Sequence, residues 1–348
     1  MVNTGHAVAL NDVVTDTRGR PLRDLRLSVI DQCNFRCRYC MPAEIFHEHY
    51  EFFSRAQRLS NDETVTLVAA FAQLGVNKLR ITGGEPLLRK DLPDLLGRLF
   101  AIEGIDDIAM STNGVLLPRA ASDLKAAGLD RVTISLDSMD SGTFKHMSGG
   151  RGSLEAVLAG LEAALAAGFD PVKVNAVIER DRNEDQILPL AERFRHSGCV
   201  LRFIEFMDVG TRNAWRRADV VSSEHILKTI DARWPLEPVA AAYRGEVARR
   251  YRYADGAGEV GFITSITQPF CQDCTRARLS ADGHLFTCLF SSRGHDLKTA
   301  LRAGATPADL AQQIQSVWTV REDAYSETRM SPRANAAPER IEMFRIGG

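Results

Sequence analysis

Apolar positions between residues 25 and 206 fall in short unbroken runs separated by amphipathic stretches. Residues 25–30, 78–82, 107–111, 131–136, 172–177 and 200–206 read as six strands, continuous enough in hydrophobicity to be buried on both faces. The stretches between them carry helix punctuation. Ser60 and Glu63 form a capping box ahead of Val65, Val68, Phe71 and Leu74, and Gly75 closes that segment. Residues 117–127 stop at Gly128, and residues 153–167 open on a serine cap and stop at Gly168. This β-α rhythm implies parallel strands joined by right-handed crossovers. It fits an open doubly wound sheet or an incomplete barrel, and both gather ligands at the carboxyl ends of their strands.

After Gly210 the pattern changes. Residues 211–220, with Arg212, Arg216 and Arg217, read as a connector, and residues 222–234 as a helix. Residues 247–253 and 260–266 read as strands. Residues 276–280 and 285–289 flank Asp282 and Gly283, a hairpin signal. Pro307 opens a last amphipathic helix over 308–317. Three parts are therefore expected: a flexible arm over 1–20, an α/β region over 21–210, and a smaller α+β domain over 211–348.

Composition narrows the function classes. The 348 residues are 45% apolar and 25% charged, ordinary globular values that exclude a disordered chain. Lys plus Arg total 43 and Asp plus Glu 45, a net charge of −2, so charge gives no support to nucleic-acid binding. No apolar run approaches about 18 residues, so no membrane span is expected. Residues 1–16 lack a basic start, and Asn11 and Asp12 break their apolar stretch. A cytoplasmic protein without a secretory signal is expected. The seven cysteines are an odd number, which in such a chain points to metal or catalysis rather than disulfides. Six of them form two triplets; Cys199 reads as a small buried hydrophobe.

Cys33, Cys37 and Cys40 follow the first strand on one loop. Three thiolates at this spacing fit a [4Fe-4S] cluster with one iron open to a non-protein ligand. A zinc site completed by His47 or His49 is the alternative. The spacing resembles that of the radical S-adenosylmethionine (SAM) enzymes, whose open iron binds SAM and whose chemistry splits it, with one electron, into methionine and a 5′-deoxyadenosyl radical. That resemblance implies SAM contacts from Tyr39, from Gly84 in Thr82-Gly83-Gly84-Glu85-Pro86, and from Ser135 and Met207.

Cys271 and Cys274 are joined by Cys288 across the expected hairpin, again a metal pattern, with His284 as the candidate fourth ligand of a zinc knuckle. The paired triplets, Thr275-Arg276-Ala277-Arg278 and the terminal Gly347 and Gly348 together resemble the GTP 3′,8-cyclases of molybdenum-cofactor biosynthesis over nearly the whole chain. The resemblance implies an incomplete (β/α)6 TIM-type barrel carrying the first [4Fe-4S] cluster and a C-terminal α+β domain carrying the second. It implies GTP held by Arg26, Arg80, Ser111, Lys173, Arg276, Ala277 and Arg278, Ser111 standing where the family pattern has threonine. Arg276, Arg278, Gly347 and Gly348 would lie at the catalytic centre. The implied reaction takes hydrogen from the ribose 3′ carbon of GTP and closes a bond to C8, which makes the enzyme a carbon-carbon lyase.

The further partners implied are an electron donor such as a flavodoxin or ferredoxin, a downstream cyclic pyranopterin monophosphate synthase and a second copy in a homodimer. Two other readings stay open: another radical SAM enzyme with an auxiliary cluster, of the peptide-maturase kind, and a zinc protein that binds RNA.

Overall fold

The computed structural model describes residues 13–243, 245–329 and 340–347. Six strands follow the expected rhythm: β1 (Asp24–Ser28), β2 (Lys78–Thr82), β3 (Asp107–Thr112), β4 (Arg131–Ser135), β5 (Lys173–Ile178) and β6 (Val200–Glu205). Each pairs in parallel with the next. The spatial order equals the sequence order. A doubly wound sheet would reverse direction once; a sheet without a reversal keeps its crossovers on one face and curls as a barrel. The structure thus decides between the two folds that periodicity left open.

The connecting helices are α1 (Asn61–Gln73), α2 (Leu92–Phe100), α3 (Ala121–Ala126), α4 (Ser141–Met147), α5 (Leu154–Ala166) and α6 (Ile187–Phe194). The capping box at Ser60 and Glu63 is present, both halves bonded. The segment expected as one helix over 117–127 is a 3-10 turn, Leu117–Arg119, followed by α3. Pro118 sits in that turn, and neither piece has a side-chain cap.

Residues beyond 211 add α7 (Ser223–Asp231) and strands β7 (Leu236–Val239), β8 (Arg249–Tyr253), β9 (Glu259–Ile263), β10 (Arg276–Leu279), β11 (His284–Phe286) and β12 (His295–Asp296). They extend the barrel sheet at both ends. β9 runs parallel to β6, and β10 runs parallel to β1. Helix α8 (Lys298–Arg302) follows, and α9 (Pro307–Thr319) buries Leu310, Ile314 and Trp318 next to α1, with Pro307 at its first turn as expected.

The expected loose arm is a correction in part. Residues 1–12 lie outside the described residues, but Asp16 and Arg20 are buried, and the chain from Thr15 to Pro21 closes on itself as a bridge. Among the described residues no helix is long and apolar enough to cross a membrane.

Candidate active site

The loop after β1 carries the first triplet. The Phe35 amide donates to Cys33 Sγ at 3.3 Å, and the Cys40 and Met41 amides donate to the Cys37 carbonyl at 3.0 and 2.8 Å. Buried Arg36 ties the loop together, donating to the carbonyls of Cys33, Phe35 and Phe46. Gly84 explains itself by packing. Its amide donates to the Ile30 carbonyl at 2.8 Å, and a Cβ there would collide with the Gln32 carbonyl. The Gly-Gly-Glu-Pro turn therefore lies directly on the backbone leading to Cys33.

Buried Glu85 accepts from Thr112 Oγ1 at 2.7 Å and from the Asn113 amide at 2.8 Å, and burial pushes its pKa up to about 7. Tyr39 donates its hydroxyl to Asp137 Oδ2 at 2.8 Å, which fixes the ring beside the end of β4. Ser135 ends that strand opposite Asn175.

The hairpin of β10 and β11 carries Cys288 back towards Cys271 and Cys274, and all three thiols border one cavity. His284 pairs with Asp282 at 3.2 Å rather than joining them. All seven cysteines are free thiols. Burial pushes Cys33 and Cys288 up to about 12, with Glu85 adding to Cys33 and Asp323 to Cys288; Cys37 and Cys40 are raised for the same first reason. Buried thiols of this kind ionise only beside a strong positive charge, which a metal centre provides. Cys274 differs. Burial raises it, but the guanidiniums of Arg276 and Arg321 outweigh burial and bring it to about 6. Both donate to its sulfur at 3.3 Å. Among the described residues no three His, Cys, Asp or Glu side chains converge as a single bound ion requires. A cubane instead spreads its thiolates over separate irons, so the donor sets fit clusters better than zinc.

The cavity, about 460 Å³, lies inside the barrel. Alternate residues of the strands face into it: Arg26, Arg80, Ser111, Lys173, Arg202, Arg276 and Arg278. Arg80, Arg26 and Arg278 are direct lateral neighbours on β2, β1 and β10. Like charges placed so closely destabilise an empty site. Burial, then Arg278, Arg276 and Arg80, hold Arg26 well below its ordinary value. Burial, then Arg202, Arg131 and Arg80, bring Lys173 down to about 8. Arg202 falls to about 9 through burial and Arg80, and Arg278 to about 10 through burial and Arg276. Among the described residues the side chains of Arg26 and Lys173, which line the cavity, make no hydrogen bond and no ion pair, which leaves both for a ligand. A cavity of this kind is built for a polyanion.

Other expected residues fall elsewhere. Met207 borders the cavity, whereas Tyr39, Gly84 and Ser135 do not. Ala277 sits between Arg276 and Arg278 on β10, so its side chain points the other way, into the core with Leu25. Gly347 does not border the cavity but touches Arg278, which does. Its φ is +73°, its carbonyl accepts from Arg278, and a Cβ there would overlap the Thr82 hydroxyl. The preceding helix, Met343–Ile346, seats Phe344 against Phe46, Tyr50 and Phe52. Arg340 pairs with Asp208 at 3.0 Å, and Glu342 accepts from the Thr211 amide at 2.9 Å. Gly348 lies outside the described residues.

Sequence reasoning missed Lys78, Arg131, Arg202 and Arg321, all bordering the cavity. For Arg202 a signal existed: a cation flanked by apolar residues within the strand run 200–206.

Comparison with known proteins bears on these observations. Residues 27–194 match the model of the radical SAM superfamily, and residues 199–327 match that of Molybdenum Cofactor Synthesis C. A protein of Xanthomonas campestris pv. campestris (strain B100) named GTP 3′,8-cyclase is 58% identical over 333 residues, covering 96% of this chain and 97% of that one. A protein of the same name from Acidothermus cellulolyticus is 48% identical, over 96% of this chain and 99% of its own. Among solved structures, Streptococcus suis SuiB bound to S-adenosylmethionine superposes with a TM-score of 0.58 at 15% identity, over 89% of this chain and 68% of that one, a likeness of fold. By identity over nearly its full length, this chain belongs to the GTP 3′,8-cyclase family.

Proposed function

We propose that this chain converts GTP to (8S)-3′,8-cyclo-7,8-dihydroguanosine 5′-triphosphate, the first step of molybdenum-cofactor biosynthesis. The observation that carries the reading for this chain's own residues is the cation-lined cavity with the second cysteine triplet in its wall. One [4Fe-4S] cluster would be held by Cys33, Cys37 and Cys40, a second by Cys271, Cys274 and Cys288. The first, with SAM bound, would supply the one-electron reductive chemistry that starts the reaction.

The chain's own work is grip and orientation. Arg26, Arg80, Lys173 and Arg202 hold the triphosphate by charge-assisted hydrogen bonds, each worth about 1.5–3 kcal/mol. Their mutual repulsion in the empty site is relieved as the anion enters, so binding fills a site that is already arranged. Arg276 and Arg278 stand between that grip and the second triplet, where they orient the nucleoside end, and Ser111 adds a hydroxyl. With the triphosphate fixed at one end, the ribose and base have few orientations left, which lowers the entropic barrier to ring closure. The barrel wall also keeps bulk water away from the reacting carbon.

Tyr39, Gly84, Ser135 and Met207 are the proposed SAM contacts. An electron carrier such as a flavodoxin or ferredoxin, and a cyclic pyranopterin monophosphate synthase acting on the product, complete the proposed setting. Anaerobic incubation with SAM, a reductant and GTP, followed by mass spectrometry, tests it. An isomer of GTP formed together with 5′-deoxyadenosine is expected; deoxyadenosine alone would overturn the substrate assignment.

A further inference from the structure

Beside the second triplet, at the border of the cavity, lies a buried charged group whose donors are turned to the cysteines. Asp16 Oδ2 accepts from Arg20 Nε at 2.6 Å and from Arg321 Nη1 at 3.2 Å, and the three side chains are 0–1% exposed. Each arginine then reaches a different cysteine. Arg20 Nη1 donates to the Cys271 carbonyl at 2.8 Å. Arg321 Nη1 donates to the Cys274 carbonyl at 2.9 Å, and its Nη2 donates to Cys274 Sγ at 3.3 Å.

Neighbours fix both guanidiniums. Arg321 lies over the Trp318 ring at 4.5 Å and pairs with Asp323 at 3.3 Å. Arg20 Nη1 also donates to the Asp323 carbonyl at 2.7 Å, and Trp318 Nε1 donates to the Arg20 carbonyl at 3.1 Å.

Fold stability is a poor explanation for this arrangement. Buried ion pairs are often no better than well-packed apolar side chains of the same volume. This one also leaves Arg20 Nη2 buried without a partner, a cost of about 1–3 kcal/mol. What the group does secure is the backbone of two metal-binding cysteines and the charge at one sulfur. Cys274 receives two guanidiniums, from Arg276 and Arg321, whereas among the described residues no guanidinium donates to the sulfurs of Cys271 and Cys288.

We propose that Asp16, Arg20 and Arg321 form a clamp that sets the spacing of Cys271 and Cys274 and raises the reduction potential of the iron–sulfur centre they hold. The inference rests on the second triplet holding a cluster. Hydrogen bonds and positive charge at a cluster thiolate stabilise the reduced, more negative state. The three residues are positioning residues: Asp16 aims the guanidiniums, and Arg321 acts through Cys274. The segment before β1 thereby becomes part of the centre at the far end of the sequence.

The test uses the full chain, reconstituted anaerobically, with both centres followed by EPR during a redox titration. Arg321→Met keeps the contact with Trp318 but removes charge and donor. It should lower the midpoint potential of the second centre by a tenfold change in the one-electron equilibrium, about 59 mV. Arg321→Lys should fall between the two. The first centre's potential and SAM cleavage should not move. Asp16→Asn, which touches no cysteine, should speed loss of the second centre's iron to a chelator about tenfold while sparing the first. A purely structural role would lower the melting temperature and leave the potential where it was. Unchanged potential in Arg321→Met together with unchanged iron release in Asp16→Asn overturns the clamp. An unaltered chain holding only one cluster instead overturns the reading beneath it.

Discussion

Gly347→Ala probes the C-terminal segment with a single methyl group. Two costs follow from the geometry. At φ +73° an L-residue is strained by about 1–2 kcal/mol. The added Cβ also overlaps the Thr82 hydroxyl and lies 2.8 Å from the Thr82 Cβ, and overpacking of this kind costs about 1–3 kcal/mol. Together they amount to about 2–5 kcal/mol, and with about 1.4 kcal/mol per tenfold the seated tail should lose roughly 30- to 4,000-fold in relative population. Release of the tail would free Arg278, whose guanidinium now serves the Gly347 carbonyl.

Iron content and GTP-independent SAM cleavage should survive, while the yield of cyclised product per deoxyadenosine should collapse. Hydrogen exchange at the Arg345 amide, bonded to the Glu342 carbonyl at 3.1 Å, reports the seating directly. Thr82→Ala removes the hydroxyl overlap and should recover part of both signals. Wild-type product yield with unchanged exchange in Gly347→Ala would refute the reasoning.

Further outcomes are expected at three residues. Lys173 has its pKa depressed to about 8 in the empty site, and a bound triphosphate favours its charged form, so GTP affinity should be full below that pH and fall as pH rises through it. Lys173→Arg should flatten the profile in an anaerobic binding titration; a wild-type affinity indifferent to pH across this window would count against the assignment. Lys173→Met should cost about 10- to 150-fold in affinity, the worth of one charge-assisted contact. Cys37→Ala should remove about half the iron and all deoxyadenosine formation, since one of two like clusters is lost. Cys288→Ala should leave SAM cleavage at the first centre and abolish cyclisation; normal turnover of GTP would make the second triplet merely structural.

Much of the barrel was legible because short apolar-rich strands alternate with helical punctuation, but burial on both faces was too simple an expectation: β2 and β4 alternate polar and apolar residues, since one face lines the cavity. Helices α2, α4 and α6 were missed although α2 buries Leu92, Leu95, Leu96 and Leu99 at helical spacing, a pattern visible once looked for. The split of 117–127 turned on Pro118 and a missing cap, details weaker than the apolar repeat that suggested one helix.

At the site, both cysteine triplets stand out from spacing alone, because three thiols so grouped are a pattern that packing rarely produces. The cation row could be assigned only by family likeness. Arg26 and Arg278 are far apart in sequence and become neighbours through the β1–β10 pairing, which no local pattern announces. The same strand alternation turns the Ala277 side chain to the core while Arg276 and Arg278 face the cavity. Asp16 and Arg20 fell within the expected flexible arm because their partner, Arg321, is 305 residues from Asp16.

The β1–β10 pairing also imposes an order of assembly. Asp24 bonds to Thr275, 251 residues further along, and the other flank of the six-strand sheet waits equally for β9. Until β9 and β10 have been made, β1 and β6 are bare edges of an apolar sheet, ready to pair with another chain. A fragment ending near residue 210 should aggregate rather than behave as a smaller radical enzyme. In the growing chain, the loop of Cys33, Cys37 and Cys40 is present long before the wall formed by Arg276 and Arg278. Slow, non-local pairing thus makes the compartment that receives the radical among the last parts to close, and productive chemistry must wait for the finished fold.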